Sequence, residues 1–243
     1  MDPGHLSELI ELEETYWWHV AKRKLVIDIL SREYPAPGIL IEGGIGAARN
    51  ILEFSQMGYE VAGFDLMQES VDYGRARGLK NLSVHELSQP WPVAPSSAKV
   101  IVLLDMMEHM KDPVQLLKNA AEALSDEGGI IITVPAYPLL FSNWDQKLGH
   151  HCRYTKKLFR QNAEQAGLKV KWLTHWNSFT LPAAILSRGA DRILNRNPDE
   201  TPRFTRVPHY VNRLLLTCAG VERKLIHLTG VPFGLSLVGV LVK

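Results

Sequence analysis

The sequence has little cysteine, no long apolar run and almost no net charge, and each scarcity narrows what the chain can be. Cys152 and Cys218 are the two cysteines among 243 residues, too few for a disulfide framework and without metal-type spacing. They read as reduced intracellular thiols. No uninterrupted run of about 18 apolar residues occurs, so a membrane-spanning helix is not expected. The opening MDPGHLSELIELEE is acidic and lacks the basic-then-apolar order of a signal peptide, which makes the cytoplasm the expected compartment. Internal repeats and low-complexity runs are also missing.

What is present is an ordinary globular composition, 46% hydrophobic and 22% charged, at a length that suits one α/β domain with a small insertion. The net charge of +1 hides an asymmetry. Residues 1–150 carry 12 Lys+Arg against 21 Asp+Glu, whereas residues 151–243 carry 15 against 5. A basic C-terminal third is either a solvated surface or a face for something anionic, such as a phosphorylated substrate or a membrane surface.

Apolar runs and breakers give the organisation. Residues 6–32 read as largely helical, ended by Pro35 and Pro37. Apolar strands GILIE, YEVAGFD, LSVHEL, KVIVLLD and IIITVPA then alternate with helical stretches. Strands that are apolar throughout and alternate with helices predict a parallel sheet covered on both faces. With the later strands LKVKWLTHW and SLVGVLVK the fold class is doubly wound α/β, a seven-stranded, mostly parallel sheet. The expected division is an N-terminal helical lid over 1–37, a cofactor-binding core over 38–175, a helical insertion over 176–232 and a last strand over 233–243. The insertion combines FTLPAAILSRGADRIL and HYVNRLLLTCAGVERKLIHL with a linker-like NRNPDETPRFTRVP between them. It is either a cover for a substrate or a solvated helical pair with an ordinary buried face.

LIEGGIGAARN, residues 40–50, is a strand that breaks into glycines before a helix, a place where backbone can approach an anion or an adenosine-containing cofactor. A dinucleotide fingerprint counted from Gly44 needs glycine at position 49, where Arg49 stands, so the pyrophosphate pattern fails there. An NAD-dependent oxidoreductase is the lesser alternative for that reason. Read as acid-x-Gly-x-Gly, Glu42-Gly43-Gly44-Ile45-Gly46 resembles the first motif of class I S-adenosylmethionine-dependent methyltransferases. Ala48 stands at that family's third glycine, where a helical residue would carry a methyl group at little cost.

The resemblance continues along the chain. Asp65 ends the second strand, 19 residues after Gly46, where the family's acid takes the ribose hydroxyls. Glu86 stands where an acid takes the adenine amino group. Leu66, Leu87 and Leu104 complete the implied cofactor lining. LLDMMEHMKDP at 103–113 resembles the fourth-strand motif of a small-molecule branch that includes ubiquinone-type O-methyltransferases. LLFSNWDQKLGHHCRYT resembles an S-x-x-D-x-x-L-G-H-x-R-R-Y block of bacterial type-11 methyltransferases, with Cys152 in place of an arginine and His150, Arg153 and Tyr154 matching. ETYWWHVAKRK and VPFGLSLVGVLVK resemble the same group.

The resemblance implies methyl transfer from S-adenosylmethionine to a small-molecule or lipid-like acceptor, with oxygen the expected atom. A non-catalytic binder of the same cofactor is the alternative. His150 is the candidate base or acceptor-orienting residue, unless it pins its loop. Tyr137, Arg153 and Tyr154 are candidate acceptor contacts, Arg153 and Tyr154 alternatively holding the loop itself. Asp105, Glu108 and His109 either cap the next helix and line the pocket or hold a divalent cation, as in some ubiquinone-type enzymes; the expectation is no metal. Trp17 and Trp18 are candidates for an aromatic lid beside Arg23. Nucleic acid is not an expected substrate, because no basic stripe with interleaved aromatics and no Asn/Asp-Pro-Pro-Tyr signature occurs. The basic third leaves peripheral membrane contact and an anionic acceptor open.

Overall fold

A computed structural model describes residues 3–193 and 207–243. Where the sequence suggested one N-terminal helix there are two, α1 (Pro3–Thr15) and α2 (Trp17–Glu33), which meet at Tyr16 in extended conformation. The break is held from the other end of the chain. The Trp17 amide donates to Oδ1 of Asn212 at 2.8 Å, and the Asn212 side-chain amide donates to the Thr15 carbonyl at 3.0 Å.

The expected alternation follows as β1 (Ile39–Gly43), α3 (Arg49–Gln56), β2 (Glu60–Asp65), α4 (Gln68–Ala76), β3 (Leu82–Val84), β4 (Ala98–Leu104), α5 (Pro113–Ala123) and β5 (Leu124–Pro135). A single 3-10 turn, Met107–His109, stands between β4 and α5. The loop after β5 carries the short helix α6 (Asn143–Lys147), which the sequence reading did not separate from the loop. Then come α7 (Lys156–Gln165), β6 (Lys169–Trp176), α8 (Leu181–Ile193), α9 (His209–Leu228) and β7 (Ser236–Val242). Most of the linker-like stretch expected at 195–208 lies outside the described residues.

Among the described residues the strands form one seven-stranded sheet in the order β3-β2-β1-β4-β5-β7-β6. It is parallel except for β7, which runs antiparallel to β5 and β6. Alternate residues feed two cores. Leu40, Val100 and Val102 pack with Leu25, Val26, Ile29 and Leu30 of α2. Ile41, Ile101 and Leu103 pack with Leu116 and Leu117 of α5 and Phe159 of α7. Cover on both faces is why these strands carry no polar alternation.

The chain leaves β1 toward β2 on one side and returns to β4 on the other, so a crevice opens at the carboxyl ends of β1 and β4. Backbone strain gathers along this edge. Ala48, Asp105 and Tyr137 follow β1, β4 and β5 with φ of 55°, 55° and 62°. A non-glycine residue in that region costs about 1–3 kcal/mol, and such residues concentrate at functional sites. Ala48 thus departs from the sequence reading: it is the left-handed N-cap of α3 rather than a helical residue.

Candidate active site

The glycine loop leaves β1 with almost no room above its backbone. A Cβ on Gly43 would lie 2.7 Å from Leu103 Cδ2 and 3.1 Å from Leu87 Cδ1, and one on Gly44 would collide with Met106 Sδ. A Cβ on Gly46 would lie 2.8 Å from Oε1 of Glu13. Glu13 is the residue sequence reasoning missed here. Its carboxylate accepts from the backbone amides of Ala47 and Arg49, both at 3.2 Å, at the N-terminus of α3. Helix N-termini favour anions because their first amides have no partner within the helix. Arg23 secures this strap, with Nη1 donating to the Glu13 carbonyl and Nε 3.0 Å from Glu53. The lid expected over 1–37 therefore meets the glycine loop through α1.

Glu42 is 1% exposed, and its Oε1 accepts from Asn50 while Oε2 has no partner. Burial pushes its carboxyl up to about 8. Asp65 joins the two loops at the crevice, Oδ2 accepting from the Gly46 amide and Oδ1 from the Met67 amide, each at 3.0 Å. Burial raises its carboxyl despite those amides. Leu87 and Leu103 floor the loop at Gly43, Leu104 is buried, and Leu66 stands 68% exposed at the rim. Glu86 is exposed, its Oε1 accepting from Ser88 Oγ.

On the opposite side of the crevice Lys22 of α2 reaches the end of β4, with Nζ 2.6 Å from Oδ2 of Asp105 and 3.9 Å from the centre of the Trp18 ring. Thr133 Oγ1 donates to the other Asp105 oxygen. Asp105 is therefore committed to Lys22. The tryptophans serve the C-terminal third: Trp17 lies 5.7 Å from Phe179, and Trp18 stacks on Trp176 at 6.1 Å.

The loop after β5 is organised by Asp145, which is fully buried. One of its oxygens lies 2.7 Å from both Nε and Nη2 of Arg153 and 3.2 Å from Nδ1 of His150. The other closes a capping box with Ser142 at the start of α6. Arg153 Nη1 donates to the Ala136 carbonyl and Tyr154 Oη to the Met107 carbonyl, so both side chains fasten the loop to the sheet. Of the two readings open for them, this geometry is the loop-holding one. Tyr137 stacks on His175 with ring centres 5.4 Å apart.

His150 also meets His109 edge to face at 4.7 Å. Burial, with His150 beside it, holds His109 pushed down to about 4, so it is neutral at ordinary pH. Glu108 is fully buried with neither carboxyl oxygen partnered, and burial, then the nearby Asp105, holds its carboxyl well above the usual range. Glu108, His109 and His150 each place one ligating atom within 4.8 Å of the others. That donor set could take a divalent cation, and the set differs from the one the sequence suggested in having His150 where Asp105 was expected. Without a cation it is an acid and two imidazoles able to hold or pass a proton.

The architecture defines an α/β protein with a cofactor crevice at its topological switch point and a polar loop cluster beyond β4 and β5. The family model described as a methyltransferase domain matches residues 17–171. The chain belongs to that methyltransferase family. The match does not carry the narrower type-11 assignment. No curated protein matches the sequence.

Solved structures agree in fold. A TehB-like S-adenosylmethionine-dependent methyltransferase from Corynebacterium glutamicum is similar at 16% identity, covering 100% of both chains with a TM-score of 0.60. A chain of the Haloferax volcanii complex between the Trm112 methyltransferase activator and its partner is similar at 16% identity and TM-score 0.64, over 99% of this chain and 94% of that one. An S-adenosylmethionine-dependent methyltransferase from Archaeoglobus fulgidus gives 15% and 0.57, over 91% and 94%. At these identities the likeness is one of fold.

The protein is a methyltransferase, and S-adenosylmethionine is the methyl donor named for solved structures of its fold. The residues present fit that group: a tight glycine loop at Gly43, Gly44 and Gly46 with no room for a Cβ, and a buried, half-satisfied Glu42 next to it for a cationic ligand. The dinucleotide alternative falls with the family match.

Proposed function

We propose that the chain methylates a hydroxyl oxygen of a small-molecule or lipid-like acceptor, in the cytoplasm, where its free Cys152 and Cys218 are stable. S-adenosylmethionine supplies an electrophilic methyl group, and the protein's part is to position the acceptor, exclude water and take a proton. The observation that carries the reading is the pair His150–Asp145. Asp145 takes Nδ1 of His150 and so fixes the ring, leaving the opposite nitrogen to accept the hydroxyl proton. The acceptor's O–H becomes O–CH3, S-adenosylhomocysteine is the second product, and the proton passes from His150 to solvent. Arg153 is engaged by Asp145, so an acidic group on the acceptor is no part of this reading.

The test is a panel of hydroxylated, carboxylated and amine-bearing acceptors, polyprenyl-type lipids included, followed by release of S-adenosylhomocysteine. A hydroxyl acceptor should emerge, and His150→Ala should lower kcat by about 10²–10⁴-fold with cofactor affinity unchanged. Turnover confined to amines, or a His150→Ala enzyme with full kcat, would overturn the proposal.

A further inference from the structure

Helix α9 has two unlike sides. Its inner side packs on α2, where Asn212 holds the α1–α2 junction and Arg223 Nε lies 2.9 Å from Asp28. Glu222 is buried there as well, its carboxylate accepting from the Asn177 and Ser178 amides at 2.7 and 2.6 Å. The outer side carries Tyr210, Leu214, Val221, Leu225 and Leu228, with exposures of 74%, 62%, 58%, 47% and 77%. At about 100° per residue these five fall within an arc of about 60°, a single stripe roughly 30 Å long. Isolated exposed leucines are ordinary, but a continuous apolar stripe marks an interaction surface.

Charge identifies the occupant. Arg213 and Lys224 are exposed along one flank of the stripe, and the one acid of α9 is the buried Glu222, so the outer side presents no carboxylate. Over residues 176–232 the sequence holds 8 Lys+Arg against 4 Asp+Glu. No helix among the described residues is long and apolar enough to cross a membrane. An amphipathic helix of this kind lies in the plane of a lipid surface instead. A second copy of the chain suits the surface less well. Two such sides facing each other would gather four cations with no carboxylate between them.

We propose that the outer side of α9 docks on an anionic lipid bilayer, its apolar stripe at the headgroup–acyl boundary and Arg213 and Lys224 on lipid phosphates. The inference deepens the proposed function and rests on it in one respect, that a lipid-like acceptor would be met at this surface.

Co-sedimentation of the full chain with vesicles tests it, using pure phosphatidylcholine against a mixture with phosphatidylglycerol. The wild type should pellet with the mixed vesicles and far less with the neutral ones. Leu214→Glu/Leu225→Glu should lose at least about tenfold in partition, and so should the milder Leu214→Ser/Leu225→Ser. Arg213→Glu/Lys224→Glu should lose about tenfold or more on mixed vesicles only, each basic residue near the surface being worth about fivefold. All three should keep the thermal midpoint and the cofactor affinity of the wild type, which separates failure of the surface from failure of the methyltransferase site. A wild type that stays in the supernatant with mixed vesicles, or variants that pellet like it, would overturn the proposal. A wild-type dimer that Leu214→Glu/Leu225→Glu converts to monomer would assign the face to a second copy and overturn it too.

Discussion

The two walls of the crevice are built on different principles. The β1–β2 wall presents backbone: glycines with no side chain of their own, packed against Leu87, Leu103, Met106 and Glu13, and amides of Gly46 and Met67 gathered by Asp65. The β4–β5 wall presents side chains tied to one another, with Asp145 binding Arg153 and His150 at once and Tyr154 anchoring to Met107. A wall of backbone suits a ligand that never changes, since main-chain groups cannot be altered by substitution. A wall of interlocked side chains can be rebuilt for a new acceptor, but only several residues at a time. The comparison predicts that removing Asp145 from the second wall costs stability and that removing Asp65 from the first costs cofactor affinity.

The largest effect is expected from Asp145→Ala. It would leave the 6% exposed Arg153 without its counter-ion, at a cost of about 3–5 kcal/mol in urea unfolding. A loss below about 1 kcal/mol would mean the acceptor wall is held by something else. Asp65→Ala should instead weaken S-adenosylmethionine binding by about 10–100-fold in calorimetry, the equivalent of losing hydrogen bonds to a charged group. Unchanged affinity would remove the ribose assignment and blur the contrast between the walls.

Glu42 sharpens the contrast through pH. Burial pushes its carboxyl from the ordinary 4.5 up to about 8, so the proton is held more tightly in the folded chain. The stability this gives the cofactor-free protein is fully present below about 4.5 and is lost as pH rises through about 8, by at most about 1.4 kcal/mol per pH unit. Glu42→Gln, which keeps the neutral shape, should flatten the thermal-midpoint profile across that window. Binding of the cationic cofactor near neutral pH should release up to about one proton, readable from calorimetry in buffers of different ionisation enthalpy. The smallest effect is expected of Ala48→Gly. Relief of the left-handed backbone and loss of a buried methyl nearly cancel, leaving stability within about 1 kcal/mol.

Much of the fold could be read from local pattern because apolar strands and glycine breaks are local signals. The sheet, its covered faces and the Glu42–Gly46 loop all belong to that class. Ala48 was misread because its identity suits a helix while its conformation is set by the turn that precedes α3. Ser142 and Asp145 stand in the sequence only as part of a family-like block, and nothing in it announced the capping box or that Asp145 would also hold Arg153 and His150. The break at Tyr16, the pair Lys22–Asp105 and the strap from Glu13 join residues 34 to 197 positions apart. No window of a single sequence contains such pairs, so they were out of reach.

One feature of the sheet bears on how the chain is made. β7 inserts between β5 and β6, both of which are synthesised before it. Until Ser236–Val242 clear the ribosome, the nascent chain carries two unpaired strand edges, the kind of surface that invites pairing with a neighbour. Chains halted just short of residue 236 should therefore be the species most dependent on chaperones, even though every residue that lines the crevice has already been translated.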